Sequence, residues 1–290
     1  MNNDIIIKAE NLYFSYDEEA SYSLRGLNLE IKKGQKTAFM GSNGSGKSTF
    51  FLCCNGILKP SKGTLFFKGK PVVYDRKGLL ELRKQVGIVF QDPDDQLFSA
   101  SVLQEISFGI LNTGISEEEA EKQVRRIMDL LEITPFSQKP AHALSGGQKK
   151  QVAIADILVM HPEVIILDEP ASALDPKHTQ LVNSIIDRLT DSGITVIMAT
   201  HNADYAYEWA DDIILMDQGQ LLAHGTPQEI FQQRDLISKA NLELPSVLKM
   251  FWSLVDHQVL DPSLPLPQTM DMLEKYIINC NKNKNMEVSK

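Results

Sequence analysis

The stretch that most constrains this chain is Gly41-Ser42-Asn43-Gly44-Ser45-Gly46-Lys47-Ser48-Thr49, which fits the pattern G-x-x-x-x-G-K-S/T. A loop of that pattern wraps its backbone N–H groups around nucleotide phosphates. Gly41, Gly44 and Gly46 permit the tight turns that aim successive amides at phosphate oxygens. Lys47 supplies a compact positive charge for the β- and γ-phosphates, and the Ser48 hydroxyl can ligate Mg²⁺. The run Lys36 to Met40 predicts a strand before the loop, and Thr49 to Leu58 predicts a helix after it, whose positive end faces the same anion. Strand, glycine loop, helix is the order such a loop requires. A Gly/Ser-rich surface turn that matches by chance is the alternative this order disfavours.

The chain has 290 residues and a net charge of −9. That length predicts one large core with a C-terminal appendage. Its basic residues are dispersed, so no nucleic-acid partner is expected, because binding a phosphate backbone calls for a basic face. No segment approaches the ~18 consecutive apolar residues of a membrane span. Met1-Asn2-Asn3-Asp4 lacks the basic start and apolar core of a signal peptide, and the chain reads as soluble and cytosolic. Cys53, Cys54 and Cys280 are an odd number with no metal-ligand spacing, and Cys53 and Cys54, inside the helix after the phosphate loop, read as packing thiols rather than a bridge.

Along the chain, Ile5 to Ser15 has the mixed pattern of an edge strand, and Leu24 to Ile31 alternates as its antiparallel neighbour. Tyr13, Phe14 and Tyr16 lie upstream of the phosphate loop. One of them can stack on a base, or all can pack in the sheet. Tyr16 is the choice for stacking, because it begins the polar Asp17-Glu18-Glu19 loop. Short strands are expected at Thr64 to Phe67 and Pro71 to Val73, and a brief helix at Leu79 to Lys84. Val86 to Phe90 reads as a core strand ending on Gln91. From Ser101 to Leu131 the period becomes helical, with Ser116 capping Glu117-Glu118-Glu119 in a capping-box pattern. Pro135 and Pro140 end this insertion. Leu144-Ser145-Gly146-Gly147-Gln148 then opens a helix to Met160. It is either a second place for phosphate or a plain helix start.

Val164 to Leu167 is a continuous apolar run, as a buried parallel strand requires, and it ends in Asp168-Glu169. Two acids there are costly to bury without a task. They suit a division of labour in which Asp168 serves Mg²⁺ through water and Glu169 acts on the attacking water. A solvated pair just past the strand is the alternative. Ser172 to Pro176 leads into an amphipathic helix to Thr190, and Ile194 to Ala199 is another buried strand, ending at Thr200-His201. Gln91, Asp168 and His201 thus all end core strands, and their convergence on one sheet edge marks a site that none of them would mark singly.

From Ile5 to Phe231 these residues resemble the ATP-binding cassette (ABC) ATPases. The likeness rests on Leu144 to Gln148, the family's signature sequence, and on its order relative to Gln91, Asp168-Glu169, Asp175 and His201. The resemblance implies an α/β P-loop fold with a mixed or parallel core sheet, an N-terminal antiparallel β subdomain, a helical subdomain at about 92–160 and a small C-terminal helical extension. It divides the chain into an ATPase unit, 1–235, and the extension, 236–290. By the same resemblance, Tyr16 stacks on adenine and Gly41 to Thr49 bind ATP. Ser48 and Gln91 take Mg²⁺, with Asp168 behind them. Glu169 is the catalytic base and His201 contacts the γ-phosphate. Ser145, Gly146, Gly147, Gln148 and Asp175 face the nucleotide of another subunit, which implies a head-to-tail dimer with itself or with a related ATPase subunit.

A closer likeness is to the ATPases of energy-coupling-factor importers, including the cobalt-uptake type. It is carried by Gln91 to Phe98, Phe108-Gly109 and Leu144 through Ala155 (LSGGQKKQVAIA). It implies integral membrane partners, a position on the cytoplasmic face of the cell membrane, and a cargo of a transition-metal ion, cobalt first, or a vitamin. Two residues depart from the pattern: Gln151 stands where arginine is usual, and Glu105-Ile106 where Asp-Val is common. Leu264 to Pro267 resembles the C-terminal extension that joins two subunits, although a flap on the chain's own core is an equal reading. Helices are expected at Val247 to Val259 and Met270 to Ile278, and a frayed end at Asn279 to Lys290. The importer reading has two rivals: a non-enzymatic nucleotide sensor, which would be expected to lack the base that Glu169 supplies, and a soluble cassette ATPase acting on DNA or ribosomes. The compact helical insertion and the single cassette weigh against the second.

Overall fold

The computed structural model describes residues 4–17 and 21–288, with 281–288 as backbone alone. The expectations for the first three residues, for Glu18 and Glu19, and for Ser289 and Lys290 lie outside the described residues. β1 (Ile5–Phe14) and β2 (Leu24–Lys32) pair antiparallel, with Ala9 opposite Leu29. β3 (Lys36–Met40) leads through the glycine loop into α1 (Lys47–Cys54). α1 stops short of the expected Leu58, since Gly56 takes a left-handed φ of 73°. β4 (Lys62–Phe67) and β5 (Lys70–Pro71) follow, the latter only two residues long. α2 (Arg76–Gln85) starts earlier than the apolar pattern suggests, because Asp75 caps it by accepting from the Gly78 N–H.

β6 (Val86–Val89) enters the core sheet. α3 (Val102–Leu111) and α4 (Glu117–Leu130) are capped by Ser101 and Ser116. The expected box at Ser116 is half made: its hydroxyl accepts from the Glu119 N–H, while the Glu119 carboxylate accepts from Gln123. Next come α5 (Gly146–Leu158), β7 (Val164–Asp168), α6 (Pro176–Asp191), β8 (Thr195–Ala199) and α7 (Ala203–Trp209). β9 (Asp212–Asp217) and β10 (Gln220–Gly225) form a hairpin. α8 (Pro227–Phe231), α9 (Arg234–Lys239), α10 (Ser246–Asp256) and α11 (Met270–Val288) close the chain.

Among the described residues the strands form two sheets, β2-β1-β4-β5 and β10-β9-β3-β8-β7-β6. β1 is therefore an inner strand, with Ala9 pairing Leu29 on one side and Leu65 on the other. The edge expectation fails because alternation reports which face a residue takes and carries no information about lateral neighbours. In the second sheet β3, β6, β7, β8 and β9 run parallel, and only β10 is antiparallel. Its inner strands are buried on both faces, hence their unbroken apolar runs. Phe39, Ile166, Ile197 and Ile214 pack with Phe50, Phe51 and the first sheet. Their neighbours Ala38, Leu167, Met198 and Leu215 pack with α3 to α6 on the opposite side.

Val247, Leu248, Phe251, Leu260 and Leu273 join that second cluster, so α10 and α11 lie on the chain's own core. The Arg234 guanidinium sits 4.4 Å from the Trp252 ring centre, and the Ser246 hydroxyl donates to Asp204 at 3.0 Å. The α11 backbone stays helical to Val288, ten residues past the expected end at Ile278.

Candidate nucleotide site

Strand register builds the site. Asp168 pairs with Ala199, Leu167 lies beside Met198, and Val89 lies beside Leu167, so the carboxyl ends of β6, β7 and β8 finish together. Residues just beyond those ends share one cavity of about 370 Å³ with the phosphate loop. Gln91, Asp168, Glu169 and His201 line it, together with Ser23 and Asn43 through Thr49. The convergence that the sequence suggests is therefore present.

The loop itself is shaped by backbone constraint. Gly41, at φ 144°, runs so close to the neighbouring chain that a Cβ there would lie 2.1 Å from the Met216 carbonyl oxygen. Lys47 is buried, and its ammonium donates to the carbonyls of Gly41 at 2.8 Å and Ser42 at 3.1 Å and to the Ser45 hydroxyl at 3.3 Å. Burial pushes its pKa below the ordinary lysine value, against the pull of Glu169 and Asp168. α1 begins at this lysine with no side-chain cap and no acid in its first turn, so its end N–H groups are free for an anion. The Tyr16 ring is 64% exposed, and its hydroxyl lies 3.2 Å from that of Thr49, which keeps it at the mouth of the loop.

Glu169 follows β7 in a left-handed conformation, φ 49°, an uncommon state for a non-glycine residue and one that recurs at functional sites. Its Oε1 is buried and lies 3.0 Å from His201 Nε2 without the alignment of a hydrogen bond. Burial, then the neighbouring Asp168 charge, lifts its carboxyl to about 7. His201 moves the other way: burial, then the Lys47 charge, lowers its pKa. A half-buried carboxylate with a pKa near neutrality and an oxygen that accepts no aligned hydrogen bond, beside a phosphate loop, has the properties of a general base.

The site fits Mg²⁺ held jointly with phosphate. Ser48, Gln91 and Asp168 bring a hydroxyl, an amide oxygen and a carboxylate to the one cavity, hard donors of the kind this ion takes. No group of three or more His, Cys, Asp or Glu side chains among the described residues is arranged to hold a metal by itself.

The signature residues are elsewhere. Ser145, Gly146, Gly147, Gln148 and Asp175 do not line the phosphate cavity of their own chain. Ser145 caps α5 in a full capping box: its hydroxyl accepts from the Gln148 N–H at 3.3 Å, and the Gln148 side chain accepts from the Ser145 N–H at 3.1 Å. Asp175 caps α6 and holds His178 Nδ1 at 2.6 Å. The imidazole lies against Gly147, where a Cβ would come within 2.1 Å of His178 Cδ2.

Three residues that the fold places in or around the site escape the sequence reading. Ser23 lines the cavity from the first sheet, His178 packs on the signature, and Lys150 is a buried lysine whose ammonium donates to the carbonyls at the end of β6. Only Lys150 leaves a trace in sequence, as a lysine on an otherwise buried stretch of helix. The two departures are also accommodated. Gln151 is buried and donates to the Leu131 carbonyl at 3.0 Å, while the buried Glu105 carboxylate accepts from the N–H groups of Phe98 at 2.9 Å and Ser99 at 2.6 Å.

A phosphate loop at the carboxyl edge of a parallel sheet, with an acid pair and a histidine facing it, defines a nucleoside-triphosphate-binding ATPase. Residues 24–172 match the family described as ABC transporter. The energy-coupling factor transporter ATP-binding protein EcfA of Methanocaldococcus jannaschii is 47% identical over 83% of this chain and 86% of its own length. EcfA2 of Clostridium perfringens is 45% identical over 84% and 86%. Among solved structures, cbiO1 of Clostridium perfringens, described as part of the ABC transporter complex cbiONQ, aligns with a TM-score of 0.73 at 44% identity, over 87% of this chain and 99% of that one. The chain belongs to the ABC transporter ATPases, within the energy-coupling factor ATP-binding proteins, and it binds and hydrolyses ATP.

Proposed function

We propose that this chain is the ATP-driven subunit of an energy-coupling-factor importer, attached to the cytoplasmic face of the cell membrane through integral membrane partners. In this reading residues 1–235 form the ATPase unit and 236–290 an extension, and two subunits, alike or related, enclose two ATP molecules. The observation that carries it is the division of the site. The phosphate cavity has Lys47, Glu169 and His201 from its own chain, while Ser145 and Asp175 lie outside it. A second subunit is then needed to bring a signature to each ATP.

Tyr16 stacks on the base, and Gly41 through Thr49 hold the triphosphate. Ser48 and Gln91, with Asp168 behind them, hold Mg²⁺, which offsets phosphate charge when bound. Glu169 orients the attacking water and takes its proton, and His201 holds the γ-phosphate side. Ser145, Gly146, Gly147, Gln148 and Asp175 close the nucleotide of the partner. The exposed Phe98 and Phe108, edge to face at 5.2 Å on the helical insertion, offer an apolar surface to a membrane subunit. No helix of the described residues is long and apolar enough to cross a membrane, so contact with the bilayer falls to partners. The cargo is a transition-metal ion, with cobalt first by likeness, or a vitamin, and its selection lies in those partners.

Affinity capture of the tagged chain from detergent-solubilised membranes tests this directly. Co-purification of an integral membrane protein, released or retained according to ATP, is the expected result. Recovery with ribosomes or DNA and no membrane protein would overturn it in favour of the soluble alternative.

A further inference from the structure

Lys150 has the burial of a core residue and the chemistry of a clamp. It lies in the second turn of α5, is 2% exposed, and its ammonium donates to two consecutive carbonyls, Phe90 at 3.1 Å and Gln91 at 2.5 Å. These carbonyls lie where β6 has stopped pairing, so no strand neighbour supplies their donors. Burying a cation is costly unless it is fully partnered, and a lysine retained there points to a task beyond filling volume. Neighbouring turns of α5 grip the same segment. Lys149 pairs with Asp94 at 2.6 Å, and Gln96 donates to the Ala153 carbonyl at 2.9 Å and to Asp156 at 3.2 Å. Residues 90–96 are thereby fastened along three turns of one helix.

We propose that Lys150 is a positioning residue that locks the Gln91 loop to the signature helix, so that ATP contact at Gln91 displaces the Ser145 end of the same chain. The proposal rests on the reading of Gln91 as part of the nucleotide site. Its mechanical basis is the stiffness of α5. Lys150 and Ser145 are about 7.5 Å apart along the axis at the helical rise per residue, and the capping box ties Ser145 to that axis. The signature then reports to the partner whether its own chain has ATP. The two nucleotides become coupled through one buried ammonium and the helix it sits on.

Hydrogen exchange of the full chain, diluted until sedimentation shows a monomer so that no partner's nucleotide reaches the signature, with and without a non-hydrolysable ATP analogue, tests the coupling. In the wild type, nucleotide is expected to alter protection at residues 91–98 and also at 144–150. In Lys150→Met, which keeps the length of the side chain and removes its donors, the change at 91–98 persists and that at 144–150 disappears, with analogue affinity within about twofold of wild type. Lys150→Arg, which restores the donors, recovers the coupled response. A wild-type response confined to 91–98, or a Lys150→Met response still reaching 144–150, overturns the proposal. If Lys150→Met does not fold, Asp94→Asn loosens the same junction from an exposed position and is expected to weaken the response at 144–150; an unchanged response there overturns the proposal too. Loss of analogue binding at Gln91 in Gln91→Ala tests the underlying site separately, so the two failures are distinguishable.

Discussion

Glu169→Gln keeps the shape of the side chain and removes its charge, and the structure predicts two opposite consequences. Burial first, and the Asp168 charge second, lift the carboxyl from 4.5 to about 7. At about 1.36 kcal/mol per pKa unit, holding it ionised costs the folded state at most about 3 kcal/mol. Screening at the partly open cavity lowers this to about 1–2 kcal/mol. An acid whose pKa is raised by folding binds its proton more tightly in the folded state. The penalty is therefore absent below the unfolded value, grows as pH rises, and is complete above about 7. Nucleotide-free Glu169→Gln should melt close to wild type at about pH 5 and a few degrees above it at about pH 8, given ~2–4 °C per kcal/mol for a chain near this size. Thermal unfolding followed across that range is the assay. At about pH 8 the same variant should bind ATP normally and lose turnover by ~10²-fold or more, the contribution of a general base. Wild-type turnover should rise as pH climbs through about 7. A stability difference that ignores pH, or near-normal hydrolysis by the variant, would refute the account of this carboxylate.

Other perturbations test the remaining parts. Ser145→Ala removes the cap of α5, costing about 1 kcal/mol of stability, and should slow dimer turnover while leaving the ATP affinity of isolated monomers unchanged in an equilibrium titration. Tyr16→Ala should weaken ATP binding by up to about tenfold through loss of stacking, whereas Tyr16→Phe, which loses only the part-buried hydroxyl contact to Thr49, should stay within about twofold. Equal losses in both would assign the effect to the hydroxyl. Gly147→Ala drives a methyl into His178 and should cost about 1–3 kcal/mol by denaturant unfolding. Adding His178→Ala should return most of that, and no recovery would shift the constraint from the imidazole to the backbone.

The chemistry-bearing elements were legible in the order of the residues. A glycine loop between strand and helix has few other uses, and apolar runs ending in Gln91, Asp168 and His201 announce a parallel sheet with its reactive edge. These are local signals: turn chemistry, period and the cost of burying charge are written in neighbouring residues. Some boundaries failed on local details that the apolar pattern passes over, the left-handed Gly56 after α1 and the Asp75 cap of α2, and others on the tertiary structure. β1 lies inside its sheet because β4 returns to it, which no pattern within Ile5 to Phe14 can report. α11 continues well beyond its apolar stretch. The placement of α10 and α11 on the chain's own core was decided by distant contacts such as Arg234 on Trp252.

The tertiary structure also decided what the polar residues do with one another. It leaves Ser145 and Asp175 outside the cavity that holds Lys47 and Glu169, sets His178 against Gly147, and buries Lys150 under the end of β6. Each relation joins residues far apart in the chain or on different elements. Such geometry is fixed by packing, where a neighbour within 4 Å matters and a neighbour in sequence need not. Composition and spacing could therefore announce an ATPase, while the hydrogen bonds that fasten residues 90–96 to the signature helix emerged only once the chain was folded.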